Sequence, residues 1–218
     1  MRRKVFIAAA LALLAIVIGM RIRAVNADAL VFPVETNSIQ QNVALDGAFA
    51  EYAAENTQGY TVTVTGARRM SVNEYLALYG EDNDGESMYR ETEGNITDFD
   101  SKSLVVLDIE IRNDKAETDE RGYLDSIGWA LTSKQKPAIW ARVVSSLLDC
   151  SIPQAEGTFK LSIKPGTTYT IHAPFGYTTY REFPATDGSY YSPEMEPGEY
   201  SWIITKAPVR KIVQLSVE

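Results

Sequence analysis

The amino-acid sequence predicts a mainly β fold in which two antiparallel sheets pack face to face, preceded by an N-terminal apolar helix. Three observations predict it: short runs of alternating apolar and polar residues, Gly or Pro turns between most of those runs, and a basic start followed by an apolar stretch. The longest alternating run is Ser103–Asn113, in which Val105, Leu107, Ile109 and Ile111 share one side. This pattern is typical of a strand with one buried and one solvent-facing side.

Composition narrows the classes of function. The chain has 218 residues, of which 45% are hydrophobic and 23% charged, and a formal net charge of −8. This length suits one domain plus an attachment segment. The acidic balance argues against a nucleic-acid partner, because binding phosphate needs clustered Lys and Arg. One His and one Cys remove most metal sites and most His-dependent catalysis. We therefore expect no cofactor.

The N-terminal segment predicts export. Arg2, Arg3 and Lys4 precede an unbroken apolar run at residues 5–20, about 24 Å long as a helix at 1.5 Å per residue. Residues 1–29 fit either an uncleaved signal-anchor, which contacts the membrane through residues 5–20, or a signal peptide cleaved after a small-residue site. In both cases the basic start keeps the N-terminus cytoplasmic. The expected location is a single-pass membrane protein with an extracytoplasmic C-terminal domain, or alternatively a secreted protein.

The next segment, residues 30–56, mixes polar and small residues without a firm period and is predicted to be a linker. It has room for a short strand at 43–45 and a brief helix at 47–55. The domain itself is expected to span residues 57–218. Its first strand is indicated by Val62 and Val64, which alternate with threonines.

A short helix is predicted directly after that strand. Ser71 and Glu74 have the spacing of a capping box, in which the hydroxyl accepts from the backbone N–H of the third helical residue and the carboxylate reaches back. The helix should run over Val72–Tyr79 and end at Gly80.

Further strands are predicted from shorter alternating runs bounded mostly by turns. The stretch 139–148 is ambiguous, because its apolar residues also fit a helical stripe. The three tryptophans, Trp129, Trp140 and Trp202, are expected in the core. The other runs lie at 126–133, 158–164, 168–174, 199–206 and 210–217.

Four stretches together resemble a group of uncharacterised exported proteins of Gram-positive bacteria that are similar to the telokin-like, immunoprotective class of extracellular immunoglobulin-like domains. They are ENTQGYTVTVTGARRMSVNEYLALYG, SLVVLDIEIRND, SIKPGTTYTIHAPF and APVRKIVQLSV. The resemblance covers about residues 43–218. It implies an immunoglobulin-like antiparallel β-sandwich, here with one short inserted helix, and an extracellular location behind an anchor or signal. The class has no shared catalytic residues.

The stretch 81–100 carries eight acids and one Arg. Asp82, Asp84 and Glu91 fall at positions three, five and twelve of an EF-hand-like loop, but Gly80 stands where the first carboxylate ligand belongs. A solvated loop is therefore favoured, with Asp82, Asp84 and Glu91 as weak candidates for a hard cation.

The stretch 175–193 is dense in aromatic residues. Tyr177, Tyr180, Tyr190 and Tyr191 are candidate ligand-binding residues, because exposed tyrosines on a rigid sandwich suit contact with a glycan or a protein. The alternative is that these rings tuck under the loop and close one end of the core.

The single histidine, His172, lies in a strand-like run and is interpreted as a residue of the sheet surface. No pair of carboxylates stands out, and no nucleophile elbow occurs. The sequence thus predicts a non-catalytic extracytoplasmic binding or interaction module at the bacterial cell surface, whose partner is a cell-envelope protein or glycan. The alternatives are a structural envelope protein, a cation-binding domain that uses residues 81–100 and, less favoured, a hydrolase.

Overall fold

The computed structural model describes residues 14, 16–21, 32–80, 103–116, 120–137, 139–152, 159–177 and 194–218. The chain divides into two compact units, Met1–Phe32 and Pro33–Glu218. In the first unit, residues 14 and 16–21 are helical. Among the described residues, no helix is long and apolar enough to span a membrane.

The second unit is mainly β, which confirms that part of the predicted fold class. Nine of its strands lie in one sheet, in the order β1-β11-β10-β6-β7-β9-β4-β3-β2, and β5 pairs with β8 separately. The bounds are β1 Val34–Ser38, β2 Val43–Ala44, β3 Tyr60–Ser71, β4 Ser103–Asn113, β5 Leu124–Asp125, β6 Ala130–Ser133, β7 Trp140–Val143, β8 Lys160–Leu161, β9 Thr167–Gly176, β10 Gly198–Ile203 and β11 Arg210–Val217.

The nine-stranded sheet is nearly closed. Its two outermost strands, β1 and β2, follow one another in the chain, and the turn between them passes beside β3. There Gln40 donates its backbone N–H to Val64 O at 2.9 Å and its side-chain amide to Thr65 O at 2.7 Å. The division into two sheets that a sandwich requires is not confirmed.

The main core lies on the inner side of this sheet, where alternate residues of most strands meet. Trp129 and Trp202 are fully buried there, with their ring centroids 5.1 Å apart in an edge-to-face arrangement. Edge-to-face packing is a favoured geometry for aromatic rings. Trp140, in contrast, is 37% exposed on β7, so its predicted place in the core is wrong. It alternates with Ala141, whose side chain takes the inward position instead.

Of the two helices described after β3 and β7, the first packs on the outer side of the sheet, and the second contributes Leu147 to that side and Leu148 to the main core. Helix α1 spans Val72–Tyr79 as predicted, with both bonds of the capping box between Ser71 and Glu74 present. Helix α2 spans Ser145–Ser151 and follows directly after β7, which resolves the ambiguity of this stretch into a short strand and a helix. Buried residues of both helices form a second, smaller apolar cluster with Leu104 and Val106 of β4.

The segment 30–56, predicted as a linker with room for a short strand at 43–45, contributes β1 as well as β2 (Val43–Ala44) to the sheet, and the compact unit begins at Pro33. β1 pairs in parallel with β11 and is tied to it by Lys211 Nζ, 2.8 Å from Glu35 Oε2. Residues 47–55 form turns rather than a helix. The reason is Glu55, whose buried carboxylate accepts backbone N–H groups from this turn and from Asp125.

Candidate functional site

Four polar side chains from four elements meet on the outer side of the sheet, beside α1. They are Arg68 of β3, Tyr79 at the end of α1, Asp108 of β4 and His172 of β9, and we call them the Asp108 cluster. Asp108 and His172 are direct partners in the β4–β9 register. Each points away from the core because its neighbours in sequence point into it.

The members of the Asp108 cluster are bound to one another. Arg68 donates from Nη1 and Nη2 to the two oxygens of the Asp108 carboxylate, and Nη2 also donates to the Tyr79 hydroxyl. His172 Nδ1 lies 2.6 Å from Asp108 Oδ1, and the His172 ring stacks on Tyr79 with centroids 4.2 Å apart. Tyr75 Oη donates to the backbone O of His172 at 2.7 Å. The cluster therefore links α1 to three strands.

Electrostatics favour the ionised form of Asp108. Burial by itself would raise the pKa of this carboxyl, but hydrogen bonds from Arg68 and His172, together with the positive charge of the Arg68 guanidinium, hold the pKa below its usual value. The Asp108 side chain is 18% exposed, against 32% for His172 and 38% for Arg68. Because an ionised carboxylate only accepts hydrogen bonds, the Nδ1 atom of His172 is its donor.

A close backbone approach makes room for the carboxylate. Gly66 faces Asp108 across the β3–β4 pair, where the register shifts between Val64 and Gly66. A Cβ atom at Gly66 would lie 2.6 Å from Asp108 Oδ2, which is closer than real Cβ contacts come. The bulge and the glycine together create the space that the Asp108 carboxylate fills.

The chemistry open to this cluster is limited. An Asp–His pair can orient an imidazole for proton transfer, and Nε2 of His172 has no hydrogen-bond partner among the described residues. Both Asp108 oxygens and the Arg68 guanidinium are occupied. Within the described parts of the chain, no group of three His, Cys, Asp or Glu side chains could hold a metal ion.

A second group of contacts joins residues that follow the two stretches singled out in the sequence, 81–100 and 175–193. Ser103 follows the acidic stretch, Met195 follows the tyrosine-rich one, and the Met195 backbone N–H donates to Ser103 Oγ at 2.8 Å. Arg69 Nε donates to Met195 O at 2.6 Å, and its Nη2 lies 3.3 Å from Glu194 Oε2. The described residues that follow the two stretches therefore lie in contact with each other.

A family model described as a domain of unknown function, DUF5028, matches residues 34–211. The chain belongs to this family. The match begins with the first residue of β1 and ends at the second residue of β11, so it covers the nearly closed sheet up to the start of its last strand. No curated protein and no solved structure matches the chain. The resemblance to the telokin-like immunoglobulin class is not confirmed.

Of the candidate ligand-binding residues, the structure places Tyr177 directly after β9 of the DUF5028 domain. Tyr177 is only 3% exposed and packs in the main core, and burial raises the pKa of its hydroxyl. This is the arrangement in which a tyrosine ring closes the end of the core. The other candidates, Tyr180, Tyr190 and Tyr191 for a ligand and Asp82, Asp84 and Glu91 for a cation, lie outside the described residues.

The DUF5028 domain also has an open surface depression of about 480 Å³ near the turn after β4. Lys115 lines it and donates from Nζ to Asn56 O at 3.2 Å and to Glu120 O at 3.1 Å. The same ammonium lies 5.7 Å from the centroid of the Tyr60 ring. The Lys115 ammonium thus already occupies the two backbone carbonyls in this depression that could otherwise bind a cation.

Sequence reasoning placed His172 on the sheet surface but assigned it no partner. The available signal was the position of the two residues in their strands: Asp108 and His172 each stand between two apolar residues of an alternating run. Without the pairing of β4 with β9, nothing in the sequence brings these residues together. Arg68 and Tyr79 carried no signal at all.

Proposed function

We propose that this chain is a non-catalytic binding or interaction module of the bacterial cell envelope, exported and held outside the membrane by its N-terminal segment. The observation that carries the non-catalytic part is the Asp108 cluster. A catalytic acid or base needs an atom within hydrogen-bond reach of a substrate proton. In this cluster the carboxylate, the guanidinium and the tyrosine hydroxyl are already engaged with each other.

Export is supported by the sequence of the first unit. Three basic residues precede the apolar run 5–20, and the DUF5028 match starts after it, at residue 34. A membrane anchor and a cleaved signal share this layout. An uncleaved anchor predicts that the full-length chain sediments with membranes of a Gram-positive host and keeps its N-terminal sequence. Recovery from the medium with a mature terminus near Ala29 would favour the cleaved signal, and recovery from the cytoplasm would overturn export.

The immunoglobulin-like sandwich belongs to the same proposal. Its support is a single core shared by two parts of the sheet: Val64 and Leu107 come from β3 and β4, while Leu131, Trp202 and Val213 come from β6, β10 and β11. A sheet folded so that two halves enclose one core has the layers of a sandwich. An experimental structure tests this, since the strand order decides between a sandwich and another all-β arrangement.

The binding role is tested by capture of ligands from cell-wall and membrane fractions on the full-length chain, at low and at high salt. Tyr180→Ala and Tyr190→Ala should each weaken capture if the tyrosine-rich stretch makes the contact. Tyr177 is unsuitable for this test, because replacing a buried ring lowers stability. Capture that survives both replacements but disappears with a chelator would assign the contact to the acidic stretch instead.

A hydrolase is the second candidate, and the free Nε2 of His172 beside Asp108 is the observation that favours it. It predicts a turnover that His172→Gln abolishes while Tyr180→Ala leaves it unchanged. The binding module predicts the reverse, with ligand capture by His172→Gln equal to that of the unmodified chain.

A further inference from the structure

A row of five neighbouring side chains crosses the outer side of the sheet, away from the Asp108 cluster. The register pairs Trp140 of β7 with Thr132 of β6, Thr132 with Ser201 of β10, Ser201 with Gln214 of β11, and Gln214 with Ser38 of β1. We call these residues the outer row. Each belongs to a different strand, so the row runs perpendicular to the strands.

The outer row faces solvent. Its flanking residues in sequence, including Ala141, Leu131, Trp202 and Val213, are buried in the main core, and side chains alternate along a strand. Ser38 and Gln214 are exposed, Thr132 and Ser201 are half-buried, and Trp140 is exposed by more than a third.

The dimensions of the outer row suit an extended chain of sugars. Adjacent strands lie about 4.8 Å apart, so five strands span about 19 Å. The distance between adjacent strands is close to the length of one pyranose unit in an extended glycan. Hydroxyl and amide groups both donate and accept hydrogen bonds, as sugar hydroxyls do. The Thr132 hydroxyl donates weakly to Ser201 O at 3.4 Å and keeps its lone pairs available.

The charge of the outer row indicates which class of glycan chain fits. The outer row contains no ionisable group, although the whole protein has a net charge of −8. In the next row, Lys134 and Glu199 form an ion pair with each other. Among the described residues, a polyanion would meet a single cation beside this row, the Arg142 guanidinium near Trp140, and would be repelled by the acidic protein as a whole. An uncharged ligand meets no such barrier.

Trp140 provides a surface for stacking. The Arg142 guanidinium lies over its ring, 5.2 Å from the centroid, in a cation–π contact. Trp140 is nevertheless 37% exposed at the end of a polar row, and its exposed ring surface offers an apolar contact at little entropic cost. The C–H groups of a pyranose ring are the natural partner of such a surface.

We propose that the outer row binds an extended, uncharged glycan chain, with one sugar stacked on Trp140 and the following sugars bonded to the hydroxyl and amide groups along the row. This rests on the proposed function only in that export would bring the row to the glycans of the cell envelope. Binding itself is a property of the folded chain.

The test is calorimetric titration of the full-length chain with chitohexaose, in a detergent that carries no sugar headgroup. We expect saturable binding that high salt leaves nearly unchanged, because the glycan and the five residues of the outer row carry no charge. Trp140→Ala should weaken it by about tenfold, and Gln214→Ala by roughly threefold. Trp140→Tyr should retain most of the affinity, which separates loss of stacking from loss of folding.

Tyr169→Ala is the matched control, because Tyr169 is a similarly exposed aromatic of β9 outside the outer row. It should bind chitohexaose as the unmodified chain does. No binding up to millimolar ligand, equal binding by Trp140→Ala, or equal losses in Trp140→Ala and Tyr169→Ala would each overturn the proposal. A cytoplasmic location would overturn the proposed function and leave this titration valid.

Discussion

Glu55 and Asp108 are two carboxylates withdrawn from water in different ways. Glu55 is 4% exposed and accepts hydrogen bonds from the backbone N–H groups of Ala50, Glu51, Tyr52 and Asp125. Asp108 instead forms an ion pair with the Arg68 side chain and a hydrogen bond with His172. Backbone donors stay in place whatever side chains surround them, whereas the Asp108 partners depend on three strands holding their register. Glu55 thus organises its turn, whereas the contacts of Asp108 depend on the correct pairing of the sheet.

The largest effect should come from Glu55→Ala, because it leaves buried backbone N–H groups without acceptors. An unsatisfied buried donor costs about 1–3 kcal/mol, so the free energy of unfolding should fall by at least about 3 kcal/mol in urea titrations. Glu55→Gln keeps one acceptor oxygen and should cost less. Glu199→Ala, which removes an exposed ion pair, is the control and should change stability by less than about 1 kcal/mol. A Glu55→Ala cost no larger than the control would show that this turn does not depend on its carboxylate.

The next effect tests the space beside Asp108. Gly66→Ala places a Cβ against the carboxylate oxygen and should destabilise by roughly 2 kcal/mol. In an Asp108→Ala background the nearest remaining side-chain contact is an ordinary one, so the same Gly66→Ala change should cost far less. A double-mutant cycle measures this coupling. Additive costs would mean that Gly66 is needed for the backbone of the bulge rather than for the carboxylate.

α1 and β4 could be predicted from the sequence because their signals are local. Ser71 and Glu74 cap a helix within one turn, and the alternation of β4 lies within one segment. The pairing of Asp108 with His172 joins residues 64 positions apart, and Glu55 reaches Asp125 across 70. β1 has mostly exposed residues and no apolar alternation, so it looked like linker. Contacts between residues of paired strands cannot be predicted from the sequence of either strand alone.

Lowering the pH should change the stability of the unmodified chain relative to that of the Asp108→Asn variant. Because the folded-state pKa of Asp108 is lowered, the folded chain binds fewer protons than the unfolded chain as pH falls through this range. The stabilisation is therefore complete above the unfolded pKa, near 3.9, and is lost as pH falls through the folded pKa. Asp108→Asn should be less stable than the unmodified chain at pH 7, and the difference should shrink below about pH 4. A difference that stays constant down to pH 3 would assign the loss to packing.

The smallest effect should come from His172, and it decides what the Asp108 cluster is for. His172→Phe keeps a ring to stack on Tyr79 but loses the contact with the carboxylate, while Arg68 still occupies both oxygens. Because a half-exposed polar contact contributes little, we expect a loss of under about 1 kcal/mol in the free energy of unfolding. Arg68→Met should cost more, since it leaves the carboxylate with one partner. If His172→Phe were instead neutral for stability but abolished a measurable activity, the histidine would be retained for chemistry, and the open Nε2 atom would be where that chemistry occurs.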